Sequence, residues 1–350
     1  MPLISGNNAD EVWLQALRAF GEYSPEHVAD SRTGPTLELL HVQLVIGDPR
    51  QRWVLSRNPP INPAFAIAEC FWMLAGRDDA AFLTPWNSQL RKFVGTECTA
   101  YGAYGKRLRQ RFGFDQLGRI CEGLSANRSS RQFVLQIWDP STDLPDQGGQ
   151  PRGDDIPCNI CSILKIRSHR LEWLQVLRSN DLVLGLPYDI VQFTMLQEIL
   201  AGWLGVEVGA YVQISDSLHI YDRDLEAAKQ SAPKRCPLNP DSLALPKRAF
   251  DHALEQAVDA IGRLADPESS AESAQEIIDS LSVPSSYRNL LTIVAAEAVR
   301  RGNGGTEIDR VLSRCDNPLL LAVWREWLRR YPPRAGGVGS PKCGAREELA

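Results

Sequence analysis

Between Arg57 and Arg77 the chain carries a single charged residue, Glu69. On a helix its neighbours three and four positions away are Phe65, Ala66, Trp72 and Met73. Asn62-Pro63 and Gly76 supply the N-cap, first-turn and C-terminal residues that frame a helix over 63–75. A carboxylate in that setting must be buried, and burying an ion without a partner is costly or drives its pKa upward. A chain of 350 residues, 43% of them hydrophobic, can build the core this demands, as one large domain or a domain with an appendage. Glu69 is therefore either part of a structural salt bridge at the end of a core helix or a group that moves protons.

The formal net charge of −5 argues against a protein that coats nucleic acid or an anionic membrane. Any phosphate it binds must be met locally. No stretch reaches 18 apolar residues, and Met1 to Asp10 lacks a charged start followed by an apolar core, so a cytoplasmic location is expected. Eight cysteines are scattered along the chain, several within apolar runs, which suits reduced thiols better than a disulfide framework.

Residues 11–20 have helical spacing, and Leu37 to Ile46 alternates as a half-buried strand after the polar loop Ser31 to Pro35. Gln132 to Trp138 and Cys161 to Arg167 read as strands, and Leu171 to Leu177 pairs with the latter across Ser168-His169-Arg170 as a hairpin. Pro187 opens an apolar helix to about 204, followed by a strand-like run at 206–214 and the segment Asp216 to Tyr221. This is α+β order. From 248 onward Phe250, Leu254, Val258, Ile261 and Leu264 have helical spacing, with further helices over 272–301 and 307–331. The expected units are residues 1–247, a helical extension over 248–331, and a tail over 332–350 too poor in apolar residues to pack.

Cys158 follows Ile156-Pro157 at the start of an apolar strand and is either a core cysteine or a nucleophile. Cys158-Asn-Ile-Cys161 also invites a zinc reading, as in zinc cytidine deaminases, but the upstream His-x-Glu or Cys-x-Glu triplet is missing and alternation along a strand parts the two thiols. No metal is expected. Arg178-Ser179, Arg32 and Arg131 offer guanidinium groups and a hydroxyl that could clamp a phosphate. His219 and Tyr221, two apart on an extended segment, would face the same way and could bind sugar hydroxyls, a satisfied core histidine being the alternative.

The run Arg178-Ser179-Asn-Asp181-Leu-Val-Leu-Gly185-Leu-Pro187-Tyr-Asp189-Ile resembles the thymidylate synthase signature Arg-Ser-x-Asp-x-x-Leu-Gly-Leu-Pro-Phe-Asn-Ile, with Pro157-Cys158 twenty residues ahead of Arg178. His219-Ile-Tyr221 resembles that family's His-x-Tyr pair, Ser31-Arg32-Thr33-Gly34 its phosphate loop, Glu69 to Gly76 its glutamate helix, and Ala103-Tyr104-Gly105 its tyrosine loop. The likeness covers residues 10–225. It implies a three-layer α+β fold with a large mixed sheet at a homodimer interface, and methylenetetrahydrofolate as carbon donor. Cys158 would add to carbon 6 of a pyrimidine nucleotide, its thiolate favoured by Arg178. Tyr104 and Glu69 would move protons. Arg32, Arg178 and Ser179 would hold the phosphate together with Arg131 of the other subunit; Asp181, Gly185 and Trp86 would meet the folate.

Departures from the pattern bear on the product. Where the family carries a uracil-reading asparagine stands Asp189. An amide donates to a carbonyl oxygen and accepts from a ring N–H, whereas cytosine presents an amino donor and a bare ring nitrogen, which a carboxyl can match by sharing one proton. The change resembles that in deoxycytidylate hydroxymethylases, in which water quenches the exocyclic methylene. The alternative is that Asp189 only stabilises the start of its helix. Asn159 replaces a usual histidine, Gln132 replaces the second of two adjacent arginines, and the C-terminal residues bear no likeness to the family's apolar closing tail. The expectation is 5-hydroxymethylation of CMP or dCMP, against methylation of UMP or dUMP, zinc-dependent deamination, or an inactive nucleotide-binding relative.

Overall fold

The computed structural model describes residues 2–29, 31, 33–90, 98–153, 155–302 and 307–333. Eight strands form one mixed sheet: β1 (Leu3–Gly6), β2 (Glu26–Val28), β3 (Thr36–Ile46), β4 (Phe133–Gln136), β5 (Asn159–Arg167), β6 (Arg170–Leu177), β7 (Asn180–Asp181) and β8 (Glu207–Tyr221). The main path runs β1-β3-β8-β6-β5-β4, with β2 paired to β3 and β7 to β8. Ser168 and His169 both take positive φ between β5 and β6, the backbone twist that a two-residue hairpin turn requires.

The short strands β1, β2 and β7 are not expected from the sequence, and β8, β4 and β5 differ from the expectation in extent. The 206–214 run and the 216–221 segment are one strand, β8, because β3 pairs along its whole length from Tyr221 opposite Thr36 to Tyr211 opposite Ile46. The irregularity at Asp216 is absorbed opposite, where His41 adopts φ 57° and its Nδ1 lies 2.6 Å from Asp216 Oδ1. β4 is shorter than expected, and β5 begins two residues earlier, at Asn159.

The longer helices are α1 (Ala9–Glu22), α2 (Pro63–Leu74), α3 (Gln116–Ala126), α4 (Leu186–Leu204), α5 (Asp222–Lys229), α6 (Lys247–Leu264), α7 (Ala271–Asp279), α8 (Ser285–Arg301), α9 (Ile308–Leu312) and α10 (Pro318–Arg330). Asn62 caps α2 by accepting from Phe65 N, and Pro63 fills the first turn, where a missing N–H costs nothing. Gly205, at φ 61°, ends α4 in the left-handed conformation that suits a glycine. The 272–301 segment is two helices because Val283-Pro284 interrupts it: Pro284 cannot continue α7 but caps α8.

α1 and α4 lie on the sheet, α2 packs on α4, and α6, α8 and α10 cover the far side of α2. α2 is thus enclosed by helices on two sides, which a helix apolar around nearly its whole circumference requires. The buried apolar side chains form one continuous cluster from Ile4 to Trp324. Tyr287 on α8 is central to the join: its ring lies 6.3 Å from Phe71 and 6.5 Å from Phe250, and its hydroxyl donates to Leu243 O at 2.8 Å. Residues 334–350, most of the expected tail, lie outside the described residues. Among the described residues no helix is long and apolar enough to cross a membrane.

Tyr287→Ala should lower the unfolding free energy by about 3–5 kcal/mol, the cost of emptying a filled aromatic site, read from urea denaturation. A loss below about 1 kcal/mol would mean that α8 packs only loosely on α2.

Candidate active site

The first turns of α4 direct Asp189, Gln192 and Phe193, at positions i, i+3 and i+4, toward one side. There they meet α2 and the short helical turn Tyr104–Lys106. Every residue of α2 except Glu69 is buried. Gln192 Nε2 donates to Glu69 Oε2 at 2.5 Å. Burial pushes the Glu69 carboxyl up to about 8; the Gln192 bond opposes this, while the negative charges of Asp189 and Asp155 reinforce it.

Two glycines place Tyr104. A Cβ on Gly105 would come within 2.4 Å of Met73 O, and one on Gly102 within 2.6 Å of Asp155 O. The loop is thereby pressed against α2 on one side and against the segment before Cys158 on the other, where Gly102 N donates to Asp155 Oδ2 at 2.9 Å. The Tyr104 ring lies 6.0 Å from Phe193. Burial raises its hydroxyl well above the usual range, Asp189 and Cys158 add to the rise, and a hydrogen bond with Asn159 opposes it.

Cys158 stands half-buried immediately before β5. Arg178 secures its loop: the backbone N donates to Cys158 O at 2.9 Å, Nε to Pro157 O at 2.9 Å and Nη2 to Ile156 O at 3.1 Å. The guanidinium also lies over Trp138, 5.4 Å from the ring centre. Ser179 follows Arg178 and is half-buried.

Asp189 is 7% exposed. Its Oδ1 accepts from Asn159 Nδ2 at 3.0 Å and its Oδ2 from Asn180 Nδ2 at 2.6 Å. Burial raises this carboxyl to about 7 against the pull of both amides. Two acids that titrate near neutrality therefore sit within each other's field, beside a thiol and a phenol. Asp181 Oδ1 accepts from Val183 N at 2.7 Å and Leu184 N at 2.9 Å, closing the turn that leads into α4. A Cβ on Gly185 would lie 3.3 Å from Asp181 O, so this turn tolerates little bulk.

His219 and Tyr221 share a face of β8, their rings perpendicular and 5.4 Å apart, with His219 opposite Glu38 on β3 and Asp181 on β7. Arg131 is exposed just ahead of the edge strand β4. Trp86 is not presented to solvent: its ring is 2% exposed beneath Arg301 of α8, whose guanidinium carbon lies 4.5 Å from the ring centre. Arg32 lies outside the described residues. Among the described residues no group of three or more His, Cys, Asp or Glu is placed to hold a metal ion.

Three partners of these groups escape a reading by motif: Gln192, Asn180 and Asp155. Gln192 had a signal, since it is one turn beyond Asp189 on an apolar helix and so on the same face. The other two come from separate segments, where spacing carries no such information.

The arrangement is that of an α+β protein in which two buried acids and a tyrosine gather where the central helices meet the sheet, the tyrosine within the field of a half-buried cysteine. The thymidylate synthase family model matches residues 26–261, and the chain belongs to that family. The deoxyuridylate hydroxymethyltransferase of Pseudomonas phage M6 is 37% identical over 199 residues, 56% of this chain and 55% of its own. The one from Bacillus phage SP01 is 35% identical over 201 residues, 54% and 51% of the two chains. A putative thymidylate synthase of Methanothermobacter marburgensis is 35% identical over 233 residues, 65% of this chain and 96% of its own. The chain thus spans about half the length of the two phage proteins.

Glu69 makes a testable contribution to stability. Its ordinary value is 4.5 and its folded value about 8. Between these the folded protein keeps a proton that the unfolded chain has released, so the stability linked to Glu69 is whole below the lower value and is lost as pH rises through the upper one. Glu69→Gln, which cannot titrate, should therefore gain melting temperature relative to the wild type on going from about pH 5.5 to about pH 8.5. An identical difference at both pH values would place the Glu69 carboxyl at its ordinary acidity.

Proposed function

We propose that this protein transfers a one-carbon unit from methylenetetrahydrofolate to carbon 5 of a cytidine nucleotide, CMP or dCMP, and releases the 5-hydroxymethyl product. The observation that carries the base assignment is the Asp189 carboxyl, raised to about 7 and receiving one amide N–H on each oxygen. Near neutral pH such a group can hold a proton toward the ring nitrogen of cytosine and accept from its amino group. Cytosine N3 is a far stronger base than uracil O4, so the shared proton gains more from cytosine.

In this reading Cys158 Sγ adds to ring carbon 6 and makes carbon 5 nucleophilic. The bound folate supplies the carbon unit, and the tight turn of Asp181 and Gly185 is the part of the chain that would cradle it. Tyr104 with water would remove the carbon 5 proton, and Glu69, protonated at neutral pH, would relay protons to the ring. Arg178 would hold the phosphate with Ser179, while His219 and Tyr221 would meet the sugar. Loss of tetrahydrofolate from the adduct would leave an exocyclic methylene on carbon 5, and water adding to it would restore the 5,6 double bond as the bond from Cys158 Sγ to carbon 6 breaks and the thiolate leaves. No hydride is consumed, so tetrahydrofolate is released and not dihydrofolate. A second reading, the same chemistry on a uracil nucleotide, is favoured by the names of the two phage relatives.

Tritium release from carbon 5 of CMP, dCMP, UMP and dUMP, with methylenetetrahydrofolate present, separates the two. Release from cytosine nucleotides without formation of dihydrofolate is expected. Release confined to UMP or dUMP would defeat the cytosine assignment, and a rise near 340 nm from dihydrofolate would defeat hydroxymethylation.

The proposed assembly is a homodimer through the face of the sheet opposite α1 and α4. Ile163, Leu174, Val212 and Val45 lie side by side across β5, β6, β8 and β3, each only half-buried, an apolar stripe that a second copy would cover. Arg131 at the sheet edge would then serve the other subunit's phosphate. Arg131→Ala and Cys158→Ala proteins, each inactive, should regain about one quarter of wild-type activity when mixed and randomly reassorted, because half of the dimers then have one intact site. A fully active monomer in sedimentation would exclude this arrangement.

A further inference from the structure

Asp189 terminates a chain of side-chain amides whose direction is imposed from the far end. Trp173 Nε1, which can only donate, gives its proton to Gln175 Oε1 at 3.1 Å, and Ser162 Oγ donates to the same oxygen at 2.6 Å. Gln175 must then turn its Nε2 toward Asn159, donating to Oδ1 at 2.8 Å. Asn159 in turn must show its Nδ2 to Asp189 Oδ1. Ser162, Gln175 and Asn159 are fully buried and Trp173 nearly so, so a reversed amide would leave N–H facing N–H with no solvent to relieve it.

The arm on the other oxygen is different. Asn180 Oδ1 accepts from Gln213 Nε2 at 3.3 Å. Gln213 Oε1 accepts from the Tyr211 hydroxyl at 2.9 Å, and its Nε2 donates to Ser215 Oγ at 3.0 Å. Hydroxyls donate or accept, so this arm can reverse as a unit, whereas the Trp173 arm cannot.

We propose that Gln175, anchored on Trp173, is a positioning residue for base specificity: by fixing the Asn159 amide it sets the polarity of the hydrogen bonds that residue 189 shows to the pyrimidine. The inference rests on the reading that residue 189 faces the base. With Asp189 in place, Asn159 and Asn180 each donate to one oxygen, and the remaining lone pairs and the shared proton are left for the ring. Reversing Asn159 would set its Oδ1 against Asp189 Oδ1 and trap the proton between them, away from the base.

Asparagine at this position would report the polarity directly. In Asp189→Asn with Gln175 intact, the new amide must place its oxygen beside Asn159 Nδ2 and its nitrogen on the Asn180 side. Adding Gln175→Glu reverses it: the carboxylate accepts from Trp173, Ser162 and Asn159 Nδ2, and Asn159 Oδ1 turns to receive the amide nitrogen of residue 189. Cytosine and uracil present opposite donors and acceptors, so the single and double variants should prefer opposite bases. Their cytosine-to-uracil kcat/KM ratios, from tritium release, should differ by about tenfold or more. Where turnover is too slow, equilibrium binding of CMP and UMP gives the same comparison. Gln175→Met with Asp189→Asn, which removes the anchor at nearly constant volume, should fall between them and serves if the carboxylate prevents folding. A purely structural role for Gln175 would weaken both bases alike, and equal ratios across these variants overturn the proposal. If the wild type ignores cytosine nucleotides, the base assignment of Asp189 falls, while opposite preferences among the variants would still establish the role of Gln175.

Discussion

The Asp189 carboxyl, held by one amide from the start of β5 and another from β7, ties the helix α4 to the sheet. Both bonds favour the charged form, and burial outweighs them. Glu69, on α2, has the same balance with fewer donors. The charge of Asp189 adds to the cost of ionising Glu69, while burial is the main cause of the rise in both. Tyr104 is caught in the same field.

Such a site needs a frame that cannot relax around it. A mobile α2 would let Glu69 find water and return to its ordinary acidity. α2 is instead packed on α4 within the core and covered from outside by α6, α8 and α10, with Tyr287 wedged near Phe71 and Phe250. The linker before α6 is fixed as well: Glu198 on α4 forms a buried pair with Arg52 and accepts from Leu243 N at 2.9 Å. The C-terminal helices thus bear on Glu69 through α2, α6 also packs on α4 directly with the Phe250 ring 5.2 Å from Trp203, and Arg301 lies on Trp86 and donates to Pro85 O at 2.6 Å.

Local physics was legible along much of the chain. The frame of α2 follows from Asn62, Pro63 and Gly76, and the weakened acidity of Glu69 from a lone carboxyl in an apolar helix. The β5–β6 hairpin follows from alternation on either side of a short polar turn. Less legible were features decided by pairing at a distance. The single long β8 depends on β3, about 170 residues away, accepting it along its full length. The donors to Asp189 come from two other elements, and the residue that orients Asn159 lies on the neighbouring strand β6. Alternation says that Gln175 points inward; it does not say what it meets.

Two departures from the family pattern then become one. On the proposed reading, a histidine in place of Asn159 could become a cation beside residue 189, and a cation there would favour the carboxylate and strip Asp189 of the proton it would share with the base. A neutral amide supplies the hydrogen bond without the charge. An amide must also be told which way to face, since its oxygen toward Asp189 would be as damaging as a cation is in the opposite sense. Trp173 answers this with an N–H that cannot accept, passed through Gln175. If Asp189 reads a base through a shared proton, as proposed, it requires a neutral neighbour, and a neutral amide neighbour requires a donor of fixed polarity behind it, which would place part of the base selectivity on β6, two side chains away from the base.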